Sequence, residues 1–277
     1  MVPDARGLDP EQMQRIAREF GFSETTFVLP ARAGHTRRVR IFTPSHEIPF
    51  AGHPNLGTAW VLAHEGALGE LASPARVVFE EDAGLVPVEI AVSDGRPGRC
   101  ELSAPSPLRI GEALPVERMA AAARLPVDDF VTATHPPVEA SVGLPFLFAE
   151  LRDRDALARA RADVAVLEEL GLKGAATGLY LYAADAPEGF DVQSRMFAPL
   201  GGVPEDPATG SAACALAALR ASCSGADARL AIAQGVEMGR PSALFATAVR
   251  GGDGIGARVA GDCVWVAEGT IDAGEAR

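Results

Sequence analysis

Lysine is almost absent from this chain. Lys173 is the only lysine among 25 lysines and arginines, and it lies in Gly171–Gly174, which the sequence predicts to be a surface turn. Pyridoxal phosphate needs a lysine for its Schiff base, so that cofactor is disfavoured. The chain also lacks a GxGxxG motif and any Gly-rich loop after a strand, which disfavours a nucleotide cofactor.

Cysteine is scarce as well. The four cysteines, Cys100, Cys214, Cys223 and Cys263, show no CxxC spacing, so neither a disulfide framework nor a zinc site is indicated. The histidine spacing likewise matches no metal motif. We therefore expect reduced, mostly buried thiols and no bound metal.

Long apolar runs and excess positive charge are missing too. No stretch approaches the roughly 18–20 apolar residues that span a bilayer, and the first six residues lack the apolar core of a signal peptide, so we expect a cytoplasmic protein. The net charge of −12 and the pI near 4.9 argue against nucleic acids and anionic membranes as partners. A small molecule is the expected partner.

The sequence contains a long internal repeat. Arg40–Pro44 is followed by Glu47–His53, and Arg195–Pro199 is followed by Glu205–Ser211. From the glutamate onward the two copies keep one offset. Because 277 residues exceed the usual length of one domain, we expect two related lobes, each with an acidic, glycine-containing turn at the same place. Two such turns facing one another would form a site between the lobes.

The apolar pattern predicts an α+β fold. Ser23–Leu29 and Thr36–Phe42 alternate as a β-hairpin. Asn55–Glu65 and Ser211–Ala221 are apolar on most faces, which predicts a buried helix in each half. We therefore expect two pseudo-symmetric lobes, each a β-barrel-like sheet around a central helix. The N-terminal lobe is expected over residues 1–108, and the C-terminal lobe over 109–277, with the last strands able to return to the first lobe. A helix over Arg154–Leu170 and a strand over Arg258–Glu268 are also predicted.

The two turns contain the residues suited to chemistry. A helix start after Gly52 and another after Gly210 would aim unpaired N–H groups at an anion such as a carboxylate, with Ser211 as a predicted N-cap. Glu47 lies among apolar turn residues, where a partly desolvated carboxylate could move protons. His53 could donate a hydrogen bond or transfer a proton. The second copy offers Glu205 or Asp206, and the spacing leaves the choice open.

At this level the chain resembles a known family. Glu24–Phe27 (ETTF), Arg40–Ala59, Phe197–Ala217 and Gln234–Ser242 (QGVEMGRPS) together are similar to the PhzF-type phenazine-biosynthesis family, which has the diaminopimelate-epimerase-like fold. The resemblance covers nearly the whole chain. It implies a homodimeric, cofactor-free isomerase that moves a proton on an unsaturated cyclic amino acid, trans-2,3-dihydro-3-hydroxyanthranilate or a similar compound.

The resemblance also assigns roles. It implies Glu47 as the proton-shuttling glutamate and His53, Asp206 and Ser211 as further catalytic residues, which favours Asp206 over its neighbour. Gly52 and Gly210 are implied to bind the substrate carboxylate through backbone N–H groups. Family members usually open with a strand before the first helix, and the first lobe here is expected to lack it.

Two other functions remain open from the sequence. A non-catalytic ligand-binding or interaction protein could retain the fold. A thiol-based racemase or epimerase of the same fold would need cysteines beside the glycine turns, and none adjoins Gly52 or Gly210. Cys214 lies three residues beyond Ser211, inside the predicted buried helix.

Overall fold

The computed structural model describes residues 1–170 and 178–274. Lys173 and the turn predicted around it lie outside these residues. The chain divides into two compact units. Unit 1 comprises Met1–Pro105 and the described residues from Ala260 onward, and unit 2 comprises the described residues of Ser106–Val259.

Unit 1 packs one sheet against a buried helix. Helix α1 (Pro10–Phe20) begins at Asp9, whose carboxylate accepts the Gln12 N–H, and ends at Gly21 in the left-handed conformation. The elements that follow are β1 (Thr25–Leu29), β2 (Arg37–Phe42), β3 (Glu47–Ile48), α2 (His53–His64), β4 (Ala75–Glu81), β5 (Gly84–Ser93) and β6 (Arg96–Ser103). Their sheet order is β1-β2-β4-β5-β6, with β3 beside β2. Helix α2 packs against β1, β5 and β6.

The start of the chain contacts β1. Val2 forms a parallel bridge with Phe27, donating its N–H to the Thr26 carbonyl (2.7 Å) and accepting the Val28 N–H (3.0 Å). Ala5 also donates to the Val28 carbonyl, at 2.9 Å. These bonds pair backbone groups on the outer edge of β1. In an exposed edge strand such groups remain unpaired.

Unit 2 builds a larger sheet around a second buried helix. Its elements are β7 (Arg109–Ala113), α3 (Val116–Ala123), β8 (Phe130–Val131), β9 (Val138–Ser141), β10 (Pro145–Leu151), α4 (Arg154–Arg159), α5 (Val164–Glu169), β11 (Leu179–Ala183), β12 (Val192–Ala198), β13 (Val203–Asp206), α6 (Gly210–Ser224), β14 (Ala228–Gln234), β15 (Ser242–Gly251) and β16 (Gly254–Gly261). The sheet order within the unit is β16-β15-β14-β12-β11-β10-β9-β7. Helix α6 packs against β9, β10, β14 and β15.

The two units repeat one arrangement, which confirms the predicted α+β fold. In unit 1, β1 and β2 pair antiparallel, β3 folds back on β2, and β4 pairs parallel with β2 after the buried helix. In unit 2, β11, β12, β13, α6 and β14 follow the same order with the same strand directions. Every residue of 211–219 is buried, as expected for a helix that is apolar on all faces.

Two predicted elements differ from the structure. The helix predicted over Arg154–Leu170 is two short helices, because Asp153 and Asp163 each cap a new helix start. Between them, backbone N–H groups bond to the end of α3 instead of continuing one helix. The strand predicted over Arg258–Glu268 ends at Gly261. An apolar run forms a strand only beside a partner ladder, and residues 262–274 have no regular secondary structure.

None of the described helices combines the length and the apolar character needed to cross a bilayer.

Candidate active site

The first turn joins β2 to α2 and contains Glu47, Gly52 and His53. The Thr43 backbone N–H and hydroxyl both donate to the His46 carbonyl, at 2.9 and 3.0 Å, and close the turn. Strand β3 then pairs with the end of β2. Helix α2 begins at His53, with Gly52 as its N-cap.

Glu47 is engaged by an arginine. Arg40 donates from Nε and Nη2 to the two carboxylate oxygens of Glu47, each at 2.6 Å. The guanidinium also lies 5.1 Å from the ring centre of Phe42. A bidentate pair of this kind is geometrically specific. The carboxylate that the sequence predicts to lie among apolar groups is therefore paired with a cation.

The same ion pair recurs in the second repeat. Arg195 donates from Nε and Nη2 to Glu205, both at 2.8 Å, and its guanidinium lies 4.7 Å from the ring centre of Phe197. Glu205 occupies the position of Glu47 in the sequence repeat. Because both copies build the same pair between the strand and its turn, the pair belongs to the repeated scaffold.

A different carboxylate lies beside His53. Glu24 directly precedes β1, and its Oε2 is 3.4 Å from His53 Nε2. The Glu24 side chain is 11% exposed, whereas the His53 side chain is 38% exposed. A largely buried carboxylate thus contacts an imidazole that solvent or a ligand can reach.

Glu24 is specific to the first repeat. Thr25 lies opposite Phe42, and Leu179 lies opposite Phe197, so Gly178 holds the position equivalent to Glu24. A Cβ on Gly178 would lie 2.6 Å from the Phe197 carbonyl oxygen, which is too close for any side chain. The carboxylate of Glu24 is therefore an addition to the repeated scaffold, unlike that of Glu47.

The Glu24 and His53 pair can perform acid–base chemistry. Carboxylates and imidazoles are the commonest general acids and bases, and the 3.4 Å separation places these two groups close to hydrogen-bond distance. Both side chains are also of types that bind metal ions.

The second turn is held by a buried polar network. Asp206 ends β13 and is 1% exposed; its Oδ2 accepts the Thr209 hydroxyl at 2.7 Å. Gln234, at the end of β14, donates from Nε2 to the Asp206 carbonyl and to Thr209 Oγ1, each at 2.8 Å. Gln234 Oε1 accepts the Thr209 N–H at 3.2 Å. The network fixes the orientation of the Asp206 carboxylate.

One oxygen of Asp206 is left for a ligand. Its Oδ1 is buried and has no hydrogen-bond partner among the described residues. Buried acceptors are nearly always satisfied in native proteins, so a buried, unsatisfied carboxylate oxygen in a well-ordered network indicates a position that a bound donor completes. The repeat-equivalent of Asp206 is the apolar Ile48, and Asp206, like Glu24, is specific to one repeat.

The predicted backbone anion sites lie at helix starts. Helix α2 begins after Gly52, and helix α6 begins at Gly210. Neither start has a side-chain capping bond in the described residues, which leaves N–H groups for a ligand. The prediction that Ser211 is the N-cap is wrong: Thr209 holds that position. Ser211 lies buried in the first turn of α6, because the backbone turns into the helix two residues earlier.

Sequence reasoning did not single out Glu24, Thr209 or Gln234. All three lie within the stretches that carry the family resemblance, at ETTF, at PEDPATGS and at the first position of QGVEMGRPS. Their position within these stretches was the signal that could have identified them. The contacts themselves join residues from separate strands and turns, which sequence spacing does not reveal.

Two repeats of a sheet around a buried helix, with an acidic turn before each helix, place the chain in the class of diaminopimelate-epimerase-like folds. The family of phenazine biosynthesis-like proteins, PhzC-PhzF, matches residues 1–269, and the chain belongs to this family. The family that the sequence resembles is thereby confirmed.

Characterised and uncharacterised relatives carry isomerase names. A trans-2,3-dihydro-3-hydroxyanthranilate isomerase of Pseudomonas aeruginosa is 36% identical over 269 residues, covering 96% of this chain and 90% of that protein. An uncharacterized isomerase of Mesorhizobium japonicum is 38% identical, and the match covers 98% of this chain and 92% of that protein. The crystal structure of a PhzF-family phenazine biosynthesis protein from Bacillus anthracis has a TM-score of 0.81 at 26% identity, covering 94% and 88% of the two chains. These similarities support a PhzF-type isomerase.

Proposed function

We propose that this protein is a cofactor-independent isomerase that moves a proton between two carbons of a small unsaturated cyclic amino acid, with Glu24 as the proton carrier. The substrate proposed is trans-2,3-dihydro-3-hydroxyanthranilate or a compound of the same class, after the name of the Pseudomonas aeruginosa relative. The contact between the Glu24 carboxylate and His53 at 3.4 Å is the observation that carries the proposal.

Glu24 suits the role better than Glu47 because of what each carboxylate contacts. A proton carrier must present a carboxylate oxygen to the substrate carbon, and both oxygens of Glu47 are engaged by Arg40. Glu47 accepts two charge-assisted bonds from Arg40, and such bonds are roughly twice as strong as neutral ones. Glu24 contacts an imidazole, which can itself gain or lose a proton near neutral pH.

The proposed cycle begins with carbon deprotonation. The Glu24 carboxylate removes a proton from a carbon next to an activating group, and His53 orients the carboxylate and donates a hydrogen bond to the substrate. The resulting carboxylic acid then gives a proton to another carbon of the substrate, and exchange of the acidic proton with deuterated water would replace a C–H by a C–D bond. Atoms and charge balance within the substrate and Glu24, so the proposed steps consume no co-reactant.

The remaining predicted residues are proposed to bind the substrate. Asp206 Oδ1 is suited to accept a hydrogen bond from a substrate amino or hydroxyl group, because it is a buried acceptor held in place through Thr209. The backbone N–H groups near Gly52, and those near Gly210 and Ser211, are suited to a carboxylate, because helix starts attract anions.

Proton NMR in deuterated water tests this assignment. The purified protein is mixed with trans-2,3-dihydro-3-hydroxyanthranilate and with a panel of cyclic amino and hydroxy acids, and loss of C–H signals is followed. We expect Glu24→Gln to slow exchange at least about 100-fold, the usual scale for losing a general base, while Glu47→Gln retains turnover.

The two variants control for each other. Each removes one negative charge from unit 1 and keeps the shape of the side chain, so a difference in turnover reports position. Circular dichroism and thermal unfolding must show that both variants fold. Exchange that survives Glu24→Gln and disappears in a folded Glu47→Gln would return the role to Glu47. Turnover of another panel member alone would refute the proposed substrate.

A further inference from the structure

Two cysteines that are far apart in sequence meet in unit 1. Cys100 lies in β6 and is fully buried, and Cys263 follows the end of β16 and is partly exposed. Both are free thiols, and the two groups are close enough for each to shift the pKa of the other. The isomerase chemistry proposed above uses neither residue.

The residues before each cysteine hold the two segments together. Arg99 donates from Nε and Nη2 to the two carboxylate oxygens of Asp262, at 3.0 and 2.7 Å. Both side chains are about half exposed, so the pair adds little stability. Its geometric effect is alignment, because a bidentate pair fixes the relative position of the two backbones and keeps Cys263 beside Cys100.

We propose that Cys100 and Cys263 form a reversible disulfide when the protein meets a peroxide, and that this bond fastens the C-terminal segment, residues 262–274, to β6. The two thiols are neighbours, the partly exposed Cys263 is accessible to a small oxidant, and the Arg99–Asp262 ion pair holds the two backbones in place. A disulfide needs only that two such side chains approach within bonding distance with little backbone movement.

The oxidation balances with one peroxide molecule. The Cys263 thiolate attacks a peroxide oxygen, the O–O bond breaks, and a sulfenic acid and hydroxide form, the hydroxide taking up the thiol proton as water. The Cys100 sulfur then attacks the sulfenic sulfur, and its proton leaves with the hydroxyl group as a second water. The two sulfurs together lose the two electrons that the peroxide gains.

The local environment assigns the two roles. The hydrogen bond from Cys100 lowers the pKa of the Cys263 thiol, and the thiolate is the nucleophilic form. The same hydrogen bond and burial raise the pKa of Cys100, which keeps that sulfur protonated until the sulfenic acid has formed. Cys263 is therefore the attacking residue, and Cys100 the resolving residue.

The bond would fasten a segment that the described contacts hold mainly through side chains. Trp265 lies 5.1 Å from the His64 ring and 6.4 Å from the Trp60 ring, measured between centres, on the last turns of α2. Gln12 donates to the Gly274 carbonyl at 3.0 Å. The segment has no regular secondary structure, so a covalent link near its start would limit its detachment from unit 1.

Mass spectrometry of the peroxide-treated full chain tests the proposal. The reduced protein is exposed to hydrogen peroxide, remaining thiols are blocked with N-ethylmaleimide, and tryptic peptides are identified. We expect Cys100–Arg109 linked to Val259–Arg277, reversal by dithiothreitol, and no linked peptide in Cys100→Ser. Cys223→Ser is the matched control: it removes an exposed thiol and should leave the linked peptide unchanged.

Thermal unfolding provides an independent readout. A bond between residues this distant restricts the unfolded chain, so the oxidised protein should melt roughly 5–10 °C higher than the reduced protein, in the parent and in Cys223→Ser only. Oxidation of Cys263 to sulfinic acid without a linked peptide, or a peptide linked through Cys223, would overturn the proposal. Both readouts are independent of turnover, so their failure is distinguishable from failure of the proposed isomerase.

Discussion

Replacing Arg195 by Met should destabilise unit 2 by about 3–5 kcal/mol, the usual cost of breaking a buried ion pair. Arg195 is 4% exposed. Besides Glu205 it donates from Nη1 to three backbone carbonyls of 157–160, at 3.0–3.2 Å. Met fills much of the volume but donates nothing, so a charged carboxylate and three carbonyls lose their donors. At roughly 2–4 °C per kcal/mol for a unit of this size, the Tm should fall by about 6–20 °C.

The repeat supplies a matched control in Arg40→Met. The ion pair has the same geometry and the same stacking on a phenylalanine, but the side chains of Arg40 and Glu47 are 14% and 28% exposed. Arg40 donates to no comparable set of carbonyls among the described residues. Water can therefore replace part of what is lost, and we expect a cost of about 1–2 kcal/mol, between an exposed and a buried pair.

Urea unfolding separates the two effects, because the chromophores are divided between the units. Both tryptophans, Trp60 and Trp265, lie in unit 1, and both tyrosines, Tyr180 and Tyr182, lie in unit 2. Arg40→Met should move the transition seen by tryptophan fluorescence, and Arg195→Met the one seen by tyrosine near-ultraviolet circular dichroism. An equal or larger loss for Arg40→Met would refute the argument that burial and the carbonyl bonds set the difference.

Three further predictions follow from single contacts. Gly235→Ala should destabilise the fold by at least about 2 kcal/mol and lower turnover. The reason is that Gly235 has a φ of +76° and that a Cβ there would lie 3.0 Å from the Pro207 carbonyl oxygen, beside the second turn. An unchanged Tm and turnover would contradict this. Thr209→Val should lower the free energy of unfolding by about 1.5–3 kcal/mol, measured with urea, because it removes the hydroxyl that donates a hydrogen bond to Asp206. An unchanged free energy would mean that water replaces this donor. Burial raises the pKa of Glu81 well above its usual range, so the unfolded chain binds fewer protons than the folded one and stability falls as pH rises above about 4.5. Glu81→Gln should therefore raise the Tm at pH 7 and flatten its pH dependence. A lower Tm of the variant at pH 7 would show instead that the Glu81 charge stabilises the fold.

The sequence by itself determined the architecture of this protein. The repeated turns, the alternating hairpin and the two helices that are apolar on all faces predicted an α+β fold with a buried helix in each half, and the structure has it. Such features follow from spacing along the chain, because periods of two and 3.6 residues place side chains on defined faces. Predictions from spacing were wrong in two places: where capping aspartates divide a predicted helix into two, and where an apolar run has no neighbouring strand to pair with.

The sequence also predicted which turns contain candidate site residues, and His53 and Asp206 do lie in contacts suited to chemistry within their own units. The apolar residues around Glu47 and the family resemblance together indicated Glu47 as the proton carrier. Only the tertiary structure shows that an arginine from β2 holds Glu47 and that Glu24, before a different strand, contacts His53.

The meeting of Cys100 and Cys263 was equally invisible in the sequence, which showed scattered cysteines without a motif. The physical reason is common to both cases. Hydrogen bonds, ion pairs and thiol contacts depend on separations of a few ångströms, and the side chains that come this close are selected by strand pairing and packing. Periodicity along one element predicts its buried face, whereas the partner across the sheet is decided when the whole unit folds.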